Sequence, residues 1–257
     1  MSKVRPKKHL GQHFLNDLSA AKQIVDALSP EGKYTKVIEV GPGMGVLTQY
    51  LQPRTDLDLY LAEIDTESIV YLAEHFPELK EKTFEADFLQ LHLEEKMELA
   101  KGEKIAIIGN FPYNISSQIF FKAFDQRDKV DEIVCMLQKE VAMRIASGPG
   151  NKTYGILSVL LQAFYDIEYL FTVLPDAFTP PPKVDSGVIR LKRNSNVNLD
   201  CDERKFFTMV KMAFNQRRKK LSNSIKGMGE IGESPLLDLR AERLHYTDFV
   251  TLVNLLK

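Results

Sequence analysis

Val37-Ile38-Glu39-Val40-Gly41-Pro42-Gly43-Met44-Gly45 is the stretch on which the fold turns. A four-residue strand runs straight into three glycines spaced Gly-x-Gly-x-Gly. Val46-Leu47-Thr48-Gln49-Tyr50-Leu51 then reads as a helix that Pro53 stops. Strand, glycine loop and helix in that order predict an α/β sheet in which the loop backbone approaches a ligand and the helix N-terminus offers free N–H groups. The spacing is not the Gly-x-Gly-x-x-Gly of dinucleotide sites, and no Gly-Lys-Ser/Thr follows, which excludes a phosphate-cradling loop.

Moving outward, Leu57-Asp58-Leu59-Tyr60-Leu61-Ala62 predicts a second strand ending in Glu63-Ile64-Asp65. Glu63 lies 22 positions after Gly41, close to the spacing of an acid that binds a ribose diol. NAD and S-adenosylmethionine (AdoMet) both satisfy that reading, and a helix-capping acid is the bland alternative, for which Asp65 is better placed. Thr83 to Phe88 predicts a third strand whose Asp87 can accept a hydrogen bond from an adenine amine. Ile105-Ala106-Ile107-Ile108 predicts a buried fourth strand running into Gly109-Asn110-Phe111-Pro112-Tyr113-Asn114-Ile115-Ser116. Asn110 accepts and donates, Pro112 fixes φ, and Tyr113 offers a stacking face. These suit a flat amine-bearing ring, although Asn-x-Pro is also ordinary turn chemistry.

Ser116 or Ser117 is expected to cap the next helix, Ile133 to Leu137 forms strand five, and Leu157 to Phe164 forms a buried helix. Residues 167–173 and 184–191 read as strands joined through Pro175 and Pro180-Pro181-Pro182, too close for a crossover helix and so antiparallel. That link puts Phe178 in an extended loop, either as the second side of a base sandwich or packed as loop core. Helical spacing runs from Asp202 through Ile225, interrupted by Arg217-Arg218-Lys219-Lys220, which on a helix would cover its circumference. Thr247 is the expected N-cap of the last helix. The fold class is therefore α/β: a Rossmann-like sheet with an antiparallel final hairpin (residues 1–195) and a small all-helical C-terminal domain (196–257).

The net charge of −1 does not advertise a polyanion partner, but its distribution is uneven. Residues 196–257 carry eleven Lys/Arg against eight Asp/Glu, a balance of +3 that leaves −4 for the first 195, and Lys3, Arg5, Lys7 and Lys8 precede any acid. Segregated cations fit a local phosphate-binding surface. No apolar h-region follows the basic start, and no apolar run approaches the roughly 18 residues of a membrane span. Two cysteines suit a reduced cytoplasm, and five scattered histidines give no metal-ligand spacing.

Six ordered segments together resemble the bacterial ribosomal RNA adenine N6-dimethyltransferases, the KsgA/RsmA family of class I methyltransferases. They are Leu10 to Leu15, Glu39 to Thr48, Gly109 to Ser116, Leu137 to Glu140, Phe178 to Ser186 and Ala213 to Lys219. The resemblance implies AdoMet as methyl donor, no metal, and two adjacent adenosines near the 3′ end of small-subunit (16S) rRNA as target, within a pre-ribosomal small subunit and by a cytoplasmic monomer. By motif matching, His13, Leu15, Gly41, Glu63, Asp87 and Asn110 surround the cofactor. Asn110 and Tyr113 are the catalytic pair, with Phe178 assisting at the base and Arg217, Arg218, Lys219 and Lys220 meeting RNA. Phe111 stands where the family usually has Leu, and His13 where Asn is frequent. Acceptors from Asn110 and a backbone carbonyl near Pro112 are expected to bind the adenine amine. A large-subunit rRNA methyltransferase and a non-catalytic assembly factor are the alternatives; an NAD oxidoreductase lacks the right glycine spacing.

Overall fold

The structure is a computed structural model that describes residues 4–29 and 31–257; Lys3, one of the four early cations, lies outside them. Nine strands occur among these residues: β1 (Phe14–Leu15), β2 (Tyr34–Val40), β3 (Asp58–Glu63), β4 (Thr83–Glu85), β5 (Lys104–Asn110), β6 (Val130–Gln138), β7 (Tyr165–Val173), β8 (Phe178–Thr179) and β9 (Ser186–Arg193). Seven form one sheet in the order β4-β3-β2-β5-β6-β9-β7. Neighbours from β4 to β6 pair in parallel, and β9 pairs antiparallel with β6. The apolar runs of β2, β5 and β6 are buried on both faces, as a sheet covered by helices requires.

Chain order places the reversal between β2 and β5, whose carboxyl ends carry Gly41 and Asn110. Ligands of open α/β sheets bind at such a switch point. Gly109 is required there by packing: a Cβ on it would sit 2.5 Å from the Val40 carbonyl.

Local signals explain some helix starts. Asp17 caps Leu18–Asp26 by accepting from the Ala20 N–H, and Asp202 caps Glu203–Asn215 by accepting from those of Arg204 and Lys205. Three expectations are corrected. Helix Ser116–Asp125 has Ile115 at its N-cap without a side-chain bond, so neither serine caps it. His245 rather than Thr247 precedes the last helix, with Asp248 Oδ2 accepting the His245 N–H at 2.8 Å. The helix after the glycine loop is one turn, Thr48–Leu51, because residues 43–47 are spent in turns.

Compact units do not follow a single cut at residue 195. One comprises Met1–Ala142 with Glu168–Lys192, the other Met143–Ile167 with Arg193–Lys257. Helix Ile156–Gln162, expected within the first domain, packs on Glu203–Asn215 in the second.

Candidate active site

At the end of β2, Gly41 has φ +67° and donates its N–H to the Ala62 carbonyl at 2.9 Å. A Cβ there would meet nothing within 4 Å, so the backbone faces open space in a conformation only glycine takes easily. Two residues on, the Gly43 N–H donates to Glu63 Oε2 at 3.0 Å. Glu63 Oε1 accepts the N–H groups of Ile64 and Asp65, both at 2.9 Å. The carboxylate thus binds strand end and glycine loop together. Burial raises its pKa, and the backbone N–H groups only partly offset that. Asp87 spends Oδ1 on the Leu89 N–H at 2.9 Å.

Beneath the loop, Glu39 is 1% exposed and accepts from Thr48 Oγ1 at 2.6 Å. Burial pushes its carboxyl up to about 8; the Thr48 bond opposes this and the negative charge of Glu63 adds to it. An unfolded glutamate titrates near ~4.3, so between that pH and the folded value the native state holds the extra proton. Stability contributed by protonated Glu39 is complete below the unfolded value and is lost as pH rises to about 8. Glu39→Gln should flatten that loss, on the order of 5 kcal/mol at about 1.4 kcal/mol per pH unit, in thermal unfolding followed across this range.

An N-terminal arm covers the loop. β1 pairs antiparallel with β8, Phe14 opposite Thr179 and Leu15 opposite Phe178. Further down the arm, Asp65 accepts the Lys7 ammonium and Gln12 Nε2. His13 Nδ1 lies 2.8 Å from the Pro180 carbonyl, and its ring stacks against Tyr113 at 5.6 Å between centroids. Arm, glycine loop and the ends of β3 and β5 line an open pocket of about 450 Å³ walled by His13, Leu15, Gly41, Glu63, Asp87, Asn110 and Tyr113.

Asn110 Nδ2 donates to the His13 carbonyl at 3.0 Å. The opposite amide assignment would set two oxygens against each other, so Oδ1 is left as a free acceptor. Tyr113 is fixed at its far end by a 2.6 Å bond between its hydroxyl and Ser186 Oγ. The Pro112 carbonyl already accepts the Ile115 N–H at 3.1 Å. Phe111 is 1% exposed and meets Phe120 edge-on, so the unusual octet residue is a core side chain.

Phe178 departs from the base-sandwich expectation. Its ring is 3% exposed, packed in the core with Leu15, Val173 and Val188, and forms no part of the cavity wall. Pairing opposite Leu15 turns it inward.

The basic run is not helical. The helix ends at Asn215, and residues 216–218 form a turn. Arg217 pairs with Glu242 at 2.9 Å and also donates to the Asn151 carbonyl, while Lys220 pairs with Asp238 at 2.9 Å. Arg218 and Lys219 are exposed, and among the described residues no ion pair holds them. Asp65 is the helix cap expected of it, accepting the Glu67 N–H, and also anchors the arm. Gln12, Thr48, Ser186 and Glu39 were missed by sequence reasoning, and of these only Glu39, an acid inside an apolar strand, carried a signal.

Among the described residues no helix is long and apolar enough to cross a membrane, and no three His/Cys/Asp/Glu side chains are grouped to hold a metal. The family model described as ribosomal RNA adenine dimethylase matches residues 3–257. "Ribosomal RNA small subunit methyltransferase A" of Cytophaga hutchinsonii is 55% identical, covering 100% of this chain and 99% of the relative. The protein of the same name from Flavobacterium johnsoniae is 52% identical over 98% of this chain and 96% of its own. A dimethyladenosine transferase from Plasmodium falciparum superposes with a TM-score of 0.74 at 22% identity, covering 93% and 96% of the two chains. At that identity it shows the fold alone. On the match of its full length, the chain belongs to the ribosomal RNA adenine dimethylase family.

Proposed function

We propose that this protein transfers methyl groups from AdoMet to N6 of two adjacent adenosines near the 3′ end of small-subunit (16S) rRNA, giving N6,N6-dimethyladenosine in a maturing subunit in the cytoplasm. The observation that carries the proposal is that Gly41, Glu63 and Asp87 line one pocket with Asn110, whose Nδ2 is spent on the His13 carbonyl.

The residues fit AdoMet. Gly41 leaves backbone-lined space, Glu63 Oε2 keeps a lone pair beyond its Gly43 bond, and Asp87 keeps Oδ2. Leu15 supplies apolar wall, and His13 and Asn110 border it. When bound, AdoMet supplies an electrophilic methyl group. The chain's own task is to present the acceptor.

An adenine amine is a poor nucleophile because its lone pair is delocalised into the ring. Asn110 Oδ1, accepting one N–H, favours a pyramidal nitrogen and sets its position, and Tyr113 holds the base by its ring face. Positioning of this kind supplies much of the acceleration. No strong base is needed, since the amine becomes acidic as its charge develops. The target adenosine must leave its stack, which favours a loop or splayed end.

In the second unit, Arg218 and Lys219 are the cations we assign to RNA phosphate, while Arg217 and Lys220 brace their own turn. Replacing Arg218 and Lys219 by Gln should reduce the salt slope of small-subunit binding by roughly 1.5 to 2. An unchanged slope would make them solvated surface. The proposed reaction is tested by mass mapping of adenosines after incubating unmodified small subunits with AdoMet. Two dimethylated neighbours are expected; methyl transfer to large subunits alone would overturn it.

A further inference from the structure

Three consecutive arm residues each close on the end of a different strand. Gln12 reaches Asp65 beyond β3, the His13 carbonyl takes Asn110 at the end of β5, and the Phe14 ring lies where a Cβ on Gly43, beyond β2, would come within 2.9 Å.

Of these, Gln12 is the most constrained. Its Nε2 donates to Asp65 Oδ2 at 3.0 Å, and its Oε1 accepts the Lys7 N–H at 2.8 Å. Reversing the amide would set oxygen against carboxylate and N–H against N–H, so one orientation alone is consistent. Its anchor does not yield: the Asp65 side chain is 0% exposed and also holds Lys7, the Ser68 hydroxyl at 3.0 Å and the Glu67 N–H at 3.2 Å.

We propose that Gln12 is a positioning residue for methyl transfer: clamped between Lys7 and Asp65, it fixes the His13 carbonyl that turns Asn110 Oδ1 toward the acceptor amine. This rests on the role assigned to Asn110 above. A freed Gln12 lets the His13 peptide rotate, and Asn110 then presents oxygen or N–H without preference. A one-ångström error at a reacting centre costs up to about 10²-fold in rate. The second transfer has one N–H left to hold and suffers more than the first.

The test is single-turnover methylation of unmodified small subunits by Gln12→Met, which keeps volume and loses both bonds, and by Gln12→Glu, which keeps only the acceptor for Lys7. With AdoMet raised to saturation, both variants should transfer roughly 10-fold more slowly and accumulate monomethyladenosine. A wild-type rate and product ratio recovered at high AdoMet would overturn the proposal and leave Gln12 as cofactor wall only. Asn110→Ala in the same assay separates the two ideas. If it stays active, the Asn110 reading fails; if it is inactive while the Gln12 variants keep normal rate and ratio, only the positioning role fails.

Discussion

Asn110→Ala should lower methyl transfer to small subunits by roughly 10²–10³-fold, the range seen when one preorganised hydrogen-bonding group is removed from a reacting centre. AdoMet affinity, read by calorimetry, should weaken only partly, because Glu63 and the glycine loop remain. Asn110→Asp sharpens the test. It keeps an acceptor, but its carboxylate faces the His13 carbonyl where Nδ2 now donates at 3.0 Å. If orientation matters, Asp fails almost as badly as Ala. An Asn110→Ala enzyme with near-normal turnover would remove the residue from the chemistry.

Glu63→Gln should have the second largest effect, and on binding rather than rate. Glu63 accepts three backbone N–H groups with two oxygens. An amide has only one oxygen to offer, so its NH₂ must face at least one of those donors. With Oε1 kept as the oxygen, the amide nitrogen also replaces the Oε2 lone pair assigned to the cofactor. A hydrogen bond to a charged group contributes about 1.5–3 kcal/mol, so losing that contact should weaken AdoMet about 10- to 100-fold. Calorimetric titration reads this directly. Unchanged affinity would reduce Glu63 to a brace for the loop.

The sheet was legible because its signals are local and repeated. Apolar runs at β2 and β5 end in glycine or asparagine, that of β6 ends in Gln138, and acids end β3 and follow β4. That the candidate residues at strand ends would line one pocket was legible for the same reason, since topology delivers the ends of parallel strands to one edge. What escaped was whatever depends on distant pairing. Phe178 reads as a loop aromatic until β1 is seen beside β8, where Leu15 opposite it turns the ring into the core. The basic run reads as helix surface because its flanks keep helical spacing. The turn at residues 216–218 is stabilised by Arg217 reaching Glu242, 25 positions away, which no window of periodicity contains. Gln12 and Asp65, 53 positions apart, are another such pair.

On the role proposed for Asn110, its bond to the His13 carbonyl would also give the enzyme a way to count. With Nδ2 occupied, the side chain meets its target as an acceptor, and an acceptor needs hydrogens to hold. Adenine arrives with two on N6, leaves the first transfer with one and the second with none. The monomethylated base can therefore still be gripped, and the dimethylated one cannot. Termination at two then needs no steric stop and no sensing of the product: the reaction ends when the substrate has no handle left.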